Sequence, residues 1–363
     1  MVGHAAAGPR ERELASALGA IDAVAAGFEE RAWARLDALT KPPRSLGRLE
    51  QIAARIAIVQ RSERPVAAPS AIVLLAGDHG VVAQGVTPWP QEVTYQMVAN
   101  LAGGGAAINQ LAAHAGSRLV LVDIGVAADT TALGGVVQEK VRPGTRDLSV
   151  ETAMTREEAA AAVLVGFTQA RALAEGGVRI IGTGEMGIGN TTPASALVAA
   201  FTGAAPSAVT GRGTGLDDEG LRHKTEVIAG ALALHAPDAQ DPLGTLAALG
   251  GLEIAGMAGV LLGAASTGVC CVADGFISGA AALAAVRLCP ACSGYLFPSH
   301  LSAEPGHRIA YEALGLEPVL DLDMRLGEGT GAALAIGIIG AACAVMSGMA
   351  TFAEAGIGGP ETS

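Results

Sequence analysis

The chain has 363 residues, and its 23 Lys and Arg against 35 Asp and Glu leave a formal net charge of −12. This length is sufficient for two domains, or for one large domain with an appendage. The acidic balance argues against a nucleic-acid or anionic-membrane surface, because both require a basic footprint. Any bound phosphate must therefore be held by a few placed groups.

Two stretches, residues 254–273 and 331–350, carry no charge over 20 positions each. Both are rich in Ala and Gly and lack flanking basic and aromatic residues, so we expect buried helices and a strand rather than membrane spans.

The chain has five cysteines, and this odd number does not indicate a disulfide framework. Reduced thiols and a cytoplasmic location fit best, and the N-terminus lacks a secretory signal pattern. Cys289 and Cys292 form a lone CxxC that favours packing over metal binding. We predict neither a metal nor a cofactor.

The N-terminal part of the chain is predicted to be helical. Spaced apolar positions indicate helices over residues 10–26, 29–39 and 46–60, with Ser45 as the cap of the third. The proline-containing segment 62–70 is a natural boundary, after which the pattern changes.

From residue 71 onward, short β-branched runs alternate with long Ala-rich segments, which is typical of a mostly parallel sheet with flanking helices. The fold class is therefore α/β. We predict strands at residues 72–76, 119–122, 178–181, 269–272, 295–297 and 318–320. Binding sites in such folds lie at the carboxyl ends of the strands.

Polar groups follow four of these strands, namely Asp78, Asp123, Glu185 and Asp274. Each of them alone is usually just part of a turn. Because the strands are expected to be parallel, their ends should converge on one edge of the sheet.

The third strand carries Gly182, Gly184 and Gly187 in the spacing of a dinucleotide-binding fingerprint. That motif requires an acidic residue about 20 positions further on, whereas the next acid is Asp217. An NAD-dependent dehydrogenase is therefore an alternative with weak support.

Two segments could hold a phosphate. Glycines followed by Asn190 and Thr191 would offer backbone N–H groups at a helix N-terminus. The loop 211–215, with Arg212, and the later Lys224 could supply the positive charge. A surface loop and a solvated lysine are the ordinary readings of these two residues.

Two further stretches are candidate site segments. Residues 87–97 concentrate Pro, Trp, Tyr and Met in a chain that is only 3% aromatic, which suits either the wall of a flat-ligand pocket or helix packing. Glu328 stands between Gly327 and Gly329 before an apolar run, and could be either a helix cap or a catalytic carboxylate presented at a pocket.

Several ordered blocks together resemble the nicotinate-nucleotide:dimethylbenzimidazole phosphoribosyltransferases, which make the lower-ligand nucleotide of cobalamin. One departure is Arg44, where the family pattern leads us to expect Gly. The resembling blocks are residues 41–50, 78–80, 92–97, 184–192, 211–217, 302–307 and 325–331.

The resemblance implies transfer of the phosphoribosyl group of nicotinate mononucleotide to 5,6-dimethylbenzimidazole, with inversion at the anomeric carbon. It implies that Glu328 is the general base, and that Glu185 and Lys224 are catalytic residues acting near the ribose and the phosphate. The implied substrate-binding residues are Thr87, Pro88, Trp89, Gln96, Met186, Gly187, Gly189, Asn190, Thr191, Arg212, Gly213, Thr214, Asp274, Ser302, Leu326 and Gly327.

The resemblance further implies a homodimer and a Rossmann-like fold of two domains. Residues 1–65 together with 333–363 would form a small helical domain, and residues 66–332 the large α/β catalytic domain. A non-catalytic nucleotide-binding regulator of the same fold is the second alternative. The environment of Glu328 is also open, because a helix N-terminus favours the charged carboxylate whereas an apolar pocket raises its pKa.

Overall fold

The computed structural model describes residues 7–358. Its centre is a six-stranded parallel sheet in the order β3-β2-β1-β4-β5-β6, which is the doubly wound order of dinucleotide-binding folds. The strands are β1 (Ser70–Gly77), β2 (Ser117–Gly125), β3 (Val136–Gln138), β4 (Ile180–Met186), β5 (Cys270–Ala273) and β6 (Leu296–Pro298).

Helices cover both faces of the sheet. They are α1 (Pro9–Leu18), α2 (Glu29–Asp37), α3 (Arg48–Gln60), α4 (Glu92–Ala102), α5 (Ala107–His114), α6 (Arg156–Glu175), α7 (Thr191–Thr202), α8 (Pro206–Val209), α9 (Asp218–His235), α10 (Pro242–Leu249), α11 (Leu252–Ser266), α12 (Phe276–Leu288), α13 (Pro305–Leu314), α14 (Thr330–Gly348) and α15 (Phe352–Ala355). Short 3-10 helices span Gly80–Gln84 and Pro290–Tyr295.

Strand β1 lies at the centre of the sheet and is buried along its whole length. Val73 and Leu75 face the core formed with α6 and α11, whereas Ile72 and Leu74 face the core formed with α3 and α14. This alternation follows from the two-residue period of a strand. The two cores hold the sheet between two helical layers, so a site can open only at its edges.

The predicted α/β class and parallel sheet are confirmed. The prediction missed β3, a three-residue edge strand beside β2. It was wrong for residues 318–320, where Leu320 makes only an isolated bridge with His300. It also ended the third strand too early, because β4 continues to Met186.

Two predicted helices differ from the structure. The first ends at Leu18 rather than residue 26, and the backbone N–H of Gly19 closes the last turn. The third begins at Arg48, after Gly47 as N-cap, so Ser45 is not the cap. The Glu50 carboxylate instead accepts the backbone N–H of Leu46, which organises this turn from within the helix.

Arg44 occupies a backbone conformation that favours glycine. Its φ is 63°, in the left-handed region that a residue with a side chain enters at a cost of about 1–2 kcal/mol. Its guanidinium carbon lies 3.6 Å from the centroid of the Trp33 ring, and a nitrogen lies 3.2 Å from Asp37 Oδ2. The turn of the family pattern is thus kept, and the side chain packs on α2.

Of the two uncharged stretches, the first is buried as predicted, whereas the second is buried only in part. Residues 254–273 form most of α11 and β5, both of which are almost entirely buried. Within residues 7–358, α14 is the helix that is long and apolar enough to cross a membrane, and half of it is buried inside the protein.

Helices α2, α3 and α14 share one core, whereas Leu14 of α1 joins the core on the opposite face of the sheet. The division into a small terminal domain and a large domain stays a prediction, and its residues 1–6 and 359–363 lie outside the described range.

Helices α6 and α11 approach each other backbone to backbone. A Cβ at Gly166 would overlap the backbone oxygen of Gly256, and a Cβ at Gly259 would overlap that of Val163. Such contact places two long helices close together over the sheet and leaves no room for even a methyl group at these positions.

We expect Gly259→Ala to lower the free energy of unfolding by about 1–3 kcal/mol, because the added methyl forces the two helices apart. Gly230→Ala is the matched control, since Gly230 lies exposed on α9 with open space at its Cβ position. It should raise stability by about 0.5–1 kcal/mol through helix propensity. Urea unfolding midpoints measure both, and an unchanged midpoint for Gly259→Ala would contradict the packing argument.

Candidate active site

A cavity of about 370 Å³ opens at the carboxyl ends of β4 and β5. All the predicted site residues except Gln96 line it. The cavity also contains residues that were not predicted as site residues, namely Val86, Val93, Met97, Ile188, Leu216, Gly275, Phe276, Ile277, Ser278, His300, Glu304 and Arg325.

Gln96 lies on α4 with its side chain exposed, outside the cavity lining. Val93 and Met97 of the same helix face the cavity instead, and Tyr95 packs against the core shared with α14. The sequence thus indicated the correct helix, whereas which of its residues face inward depends on how the helix is rotated against the sheet. A substrate contact of Gln96 stays a prediction.

Only two of the four polar strand ends meet in the cavity, those of Glu185 and Asp274. Asp78 accepts a hydrogen bond of 2.7 Å from the backbone N–H of Ala127. Asp123 accepts the Thr130 hydroxyl. All four lie at the carboxyl edge of the parallel sheet, as expected. Asp78 and Asp123 do not line the cavity, because their carboxylates hold the loop that follows β2.

Glu328 lies in a loop with an unusual backbone. Gly327, Glu328 and Gly329 have φ values of 83°, 61° and 91°. For a residue with a side chain, the left-handed conformation costs about 1–2 kcal/mol. The loop lies directly on β4, since a Cβ at Gly184 would be 2.6 Å from the backbone oxygen of Glu328. The carboxylate is therefore placed in the cavity by a conformation that packing imposes.

The Glu328 side chain is buried, and among residues 7–358 its Oε2 has no hydrogen-bond partner. Burial raises its pKa, and the charge of Asp274 acts in the same direction, whereas the backbone N–H of Ile108 opposes them. The structure thus decides between the two environments considered for Glu328. Desolvation outweighs hydrogen bonding, as a proton acceptor near neutral pH requires.

Glu185 is an acid of the cavity whose ionisation is disfavoured by burial. Burial raises its pKa to about 8, and the charges of Asp274 and Glu253 add to the shift. Its two oxygens accept hydrogen bonds from the Asn190 side-chain amide and from the Glu328 backbone N–H. Close to neutral pH this carboxyl holds a proton, and a cationic ligand would favour its ionisation.

Asp274 follows β5, and its carboxylate contacts the start of α14. Its Oδ2 accepts the backbone N–H of Gly329 at 3.1 Å, and its Oδ1 accepts that of Ala332 at 2.9 Å. Burial raises its pKa, and His300 with the backbone N–H groups opposes the shift. Asp274 therefore connects β5 to the element that carries Glu328.

Lys224 on α9 is completely buried, and its ammonium group reaches the start of α7. It donates to Thr191 Oγ1 at 2.7 Å and to the Gly211 backbone oxygen at 3.3 Å. Burial lowers its pKa to about 8, while the charge of Glu304 opposes this shift. The ammonium, the Thr191 hydroxyl and the α7 N-terminus together form a seat with donors for a phosphate.

Glu304 is the main polar residue that the sequence reasoning missed. Its Oε1 accepts the backbone N–H of Gly213 at 2.9 Å, which holds the glycine loop beside Lys224. Its Oε2 is buried without a hydrogen-bond partner among the described residues. The signal was present in residues 302–307, a block that resembles the family and from which only Ser302 was assigned to the site.

The dinucleotide fingerprint does not form a phosphate loop here. Gly182 and Gly184 lie inside β4, before the turn that leads to α7. A Cβ at Gly182 would contact Ala332 at 3.2 Å, so these glycines admit α14 and the Glu328 loop against the strand. Their spacing reflects helix and loop packing rather than NAD binding.

In the described part of the chain, no group of three or more His, Cys, Asp and Glu has metal-binding geometry. All five cysteines are free and buried.

The raised pKa of Glu185 makes stability depend on pH. Between pH 4.5, the ordinary pKa of a glutamate, and about pH 8, the folded chain binds more protons at Glu185 than the unfolded chain. The contribution of Glu185 to the free energy of unfolding therefore falls as pH rises through this range. One such group changes the free energy of unfolding by at most about 1.4 kcal/mol per pH unit. Glu185→Gln should flatten this decline, which urea unfolding at several pH values measures.

Glu226→Gln, on the exposed face of α9, is the control for that experiment. An equal pH slope in Glu185→Gln and in the unchanged chain would show that Glu185 ionises normally in the fold.

Comparisons with known proteins agree with this geometry. A family model described as phosphoribosyltransferase matches residues 21–357. The nicotinate-nucleotide–dimethylbenzimidazole phosphoribosyltransferase of Chloroflexus aggregans is 53% identical over 94% of this chain and 96% of its own length. The enzyme of the same name from Desulforamulus reducens is 51% identical over 95% and 98%.

Among solved structures, the crystal structure of CobT from Thermus thermophilus superimposes with a TM-score of 0.89 at 48% identity, covering 92% of this chain and 99% of that one. Sequence and fold therefore agree over nearly the whole length. The chain belongs to the nicotinate-nucleotide–dimethylbenzimidazole phosphoribosyltransferase family.

Proposed function

We propose that the protein transfers the 5-phosphoribosyl group of nicotinate mononucleotide to 5,6-dimethylbenzimidazole, giving α-ribazole 5'-phosphate and nicotinate with inversion at the anomeric carbon. The observation that carries the proposal is one cavity that holds a buried carboxylate with an unpartnered oxygen, Glu328, and a buried ammonium beside a helix N-terminus, Lys224. The names of its near full-length relatives support the same reaction.

The step that needs catalysis is the attack of the benzimidazole nitrogen, because the leaving group departs without help. In nicotinate mononucleotide the glycosidic nitrogen is positively charged, so when the bond to the anomeric carbon breaks, its electron pair returns to that nitrogen and neutralises the pyridinium ring of the leaving nicotinate. One benzimidazole nitrogen forms the new bond with its lone pair, and the ring becomes cationic. The N–H on the other nitrogen then passes its proton to the Glu328 carboxylate, which acts as general base. Atoms and charges balance in this sequence of steps.

Glu328 suits that role because burial raises its pKa and the left-handed loop holds its backbone. A pKa nearer the working pH makes a carboxylate a better proton acceptor. The neighbouring Glu185 is suited to the ribose, because its charged form would favour the positive charge that develops at the anomeric carbon. Glu328 therefore acts on the benzimidazole, and Glu185 acts on the ribose.

The phosphate would bind at the seat formed by Lys224, Thr191 and the Gly211–Gly215 loop. Gly213 lies against this seat, since a Cβ there would be 3.1 Å from Thr191 Oγ1 and 3.5 Å from Lys224 Nζ. Arg212 lines the cavity from the same loop, although its guanidinium is paired with Asp218. A small number of hydrogen-bond donors would thus bind the phosphate, although the protein as a whole is acidic.

The aromatic base would bind on the apolar side of the cavity. Trp89, Pro88 and Met186 line it, together with Val93 and Met97 of α4. Apolar walls of this kind bind a flat ring by burial and leave its orientation to a few polar groups. Trp89 is about half exposed at 48%, so its ring stands at the mouth of the cavity.

We also propose that the protein acts as a homodimer in the cytoplasm. Trp89 and Leu326 support a partner near the cavity, because both are large exposed apolar residues at its rim. Five free buried cysteines fit a reducing compartment.

The direct test of the reaction is to mix the purified protein with nicotinate mononucleotide and dimethylbenzimidazole and to follow ribazole phosphate by chromatography. NADH titration monitored by fluorescence tests the dehydrogenase alternative, and turnover itself excludes a non-catalytic regulator. Absence of product would overturn the proposed function.

Glu328→Gln should keep the fold and still bind the base, but lose about 10²- to 10⁴-fold in kcat, because the amide cannot take the proton. Steady-state kinetics and base binding by calorimetry measure the two effects. Near-normal kcat in this variant would assign the proton transfer to another group.

Lys224→Ala should raise the KM for nicotinate mononucleotide by about 10- to 100-fold, as expected for loss of a charge-assisted hydrogen bond. The KM for the base should change much less. Arg222→Ala is the matched control, because it removes a positive charge from the exposed side of the same helix. Equal effects on both substrates would argue against phosphate binding by Lys224.

A further inference from the structure

The Asp274 carboxylate supplies the cap that α14 lacks. Gly329 is the N-cap residue of this helix and has no side chain that could accept a backbone N–H. The N–H of Thr330 bonds back to the Gly327 backbone oxygen at 3.1 Å, whereas Asp274 accepts those of Gly329 and Ala332, one with each oxygen. The end of β5, the neighbour of β4 in the sheet, thereby fixes the helix start that follows Glu328.

The backbone of Asp274 is held by three hydroxyl groups. Its backbone oxygen accepts the Ser299 hydroxyl at 2.6 Å and the Tyr311 hydroxyl at 3.3 Å, and its backbone N–H donates to the Thr183 hydroxyl at 3.3 Å. The residue is almost completely buried. Its carboxylate is therefore a fixed point for the backbone that follows Glu328.

The loop before α14 is closed on itself, because Thr330 donates to the Gly327 backbone oxygen with its hydroxyl at 2.8 Å and its N–H at 3.1 Å. These bonds lie within residues 327–330, so they do not fix the place of the loop relative to the sheet. The Glu328 backbone N–H reaches Glu185 Oε1 only at 3.4 Å. If α14 rotated by a fraction of a turn, residues 327–329 would move with it. The direction of the Glu328 side chain would then change. The two strong bonds to Asp274 remove that freedom.

We infer that Asp274 is a positioning residue, which sets the place of the Glu328 carboxylate in the cavity by holding the backbone of Gly329 and Ala332. The inference rests on the proposed function, because it takes Glu328 as the general base. It differs from the substrate-binding role that the resemblance implies for Asp274, since both carboxylate oxygens already accept protein N–H groups.

Asp274→Asn tests the inference with little change in shape. The amide has one acceptor oxygen, and its NH₂ group would face a backbone N–H, so one of the two bonds is lost. We expect kcat to fall about 10- to 100-fold, while the KM for nicotinate mononucleotide stays within about threefold. Thr245→Ala is the control, because it removes a buried side-chain hydrogen bond, to the Asp238 backbone oxygen, from α10 outside the cavity lining.

The decisive measurement is the double variant Asp274→Asn with Glu328→Gln. A residue that acts only through Glu328 adds no further loss in kcat once the base is gone, which is the result expected. Losses that multiply, or a rise in the nucleotide KM without a fall in kcat, would show that Asp274 contacts the substrate and would overturn the inference.

Asp274→Ser, which removes both bonds, is the second variant if Asp274→Asn does not fold, and it should show the same absence of additivity. Failure of both variants to fold would assign Asp274 a purely structural role and overturn the inference as well. An unchanged chain that makes no ribazole phosphate overturns the proposed function itself, so the two failures are distinguishable.

Discussion

The close approach of the 327–329 loop to β4 is the constraint on which the cavity depends. Gly184 has no side chain, so the backbone of Glu328 can lie directly on the strand. The carboxylate then enters the cavity from the sheet edge, beside Glu185 of the same strand. The left-handed conformation of Glu328 is the consequence of this contact, since a free loop would avoid it.

The electrostatics of the cavity follow from burying several acids with few bases. Glu185, Asp274 and Glu328 all have raised pKa values, with burial as the largest cause. Such a group of acids is unfavourable by itself and becomes favourable beside a positive charge, such as that of a pyridinium ring. Lys224 lines the same cavity and supplies a positive charge, which in the proposed function binds the phosphate.

The sequence determined much of the fold, because its signals are local. Alternating β-branched and Ala-rich segments specify parallel strands with helices between them, and the uncharged run 254–273 fits the buried helix and strand found there. Glycines in backbone contacts, such as Gly259, identify where helices pack most closely only after the partner helix is known. Weakly patterned segments, such as β3 and residues 318–320, were misjudged because neighbours decide whether they pair.

The sequence by itself also determined which residue types the site contains, since ordered blocks carrying Glu328, Glu185 and Lys224 resemble one family. Only the tertiary structure decided how they are arranged. Gln96 lies outside the cavity lining, and Asp78 bonds the loop that follows β2. Glu304 bonds the glycine loop at Gly213. The tertiary structure also settled the environment of Glu328. The physical reason is that side-chain direction and desolvation depend on helix rotation and on contacts between residues far apart in the chain, which no local pattern records.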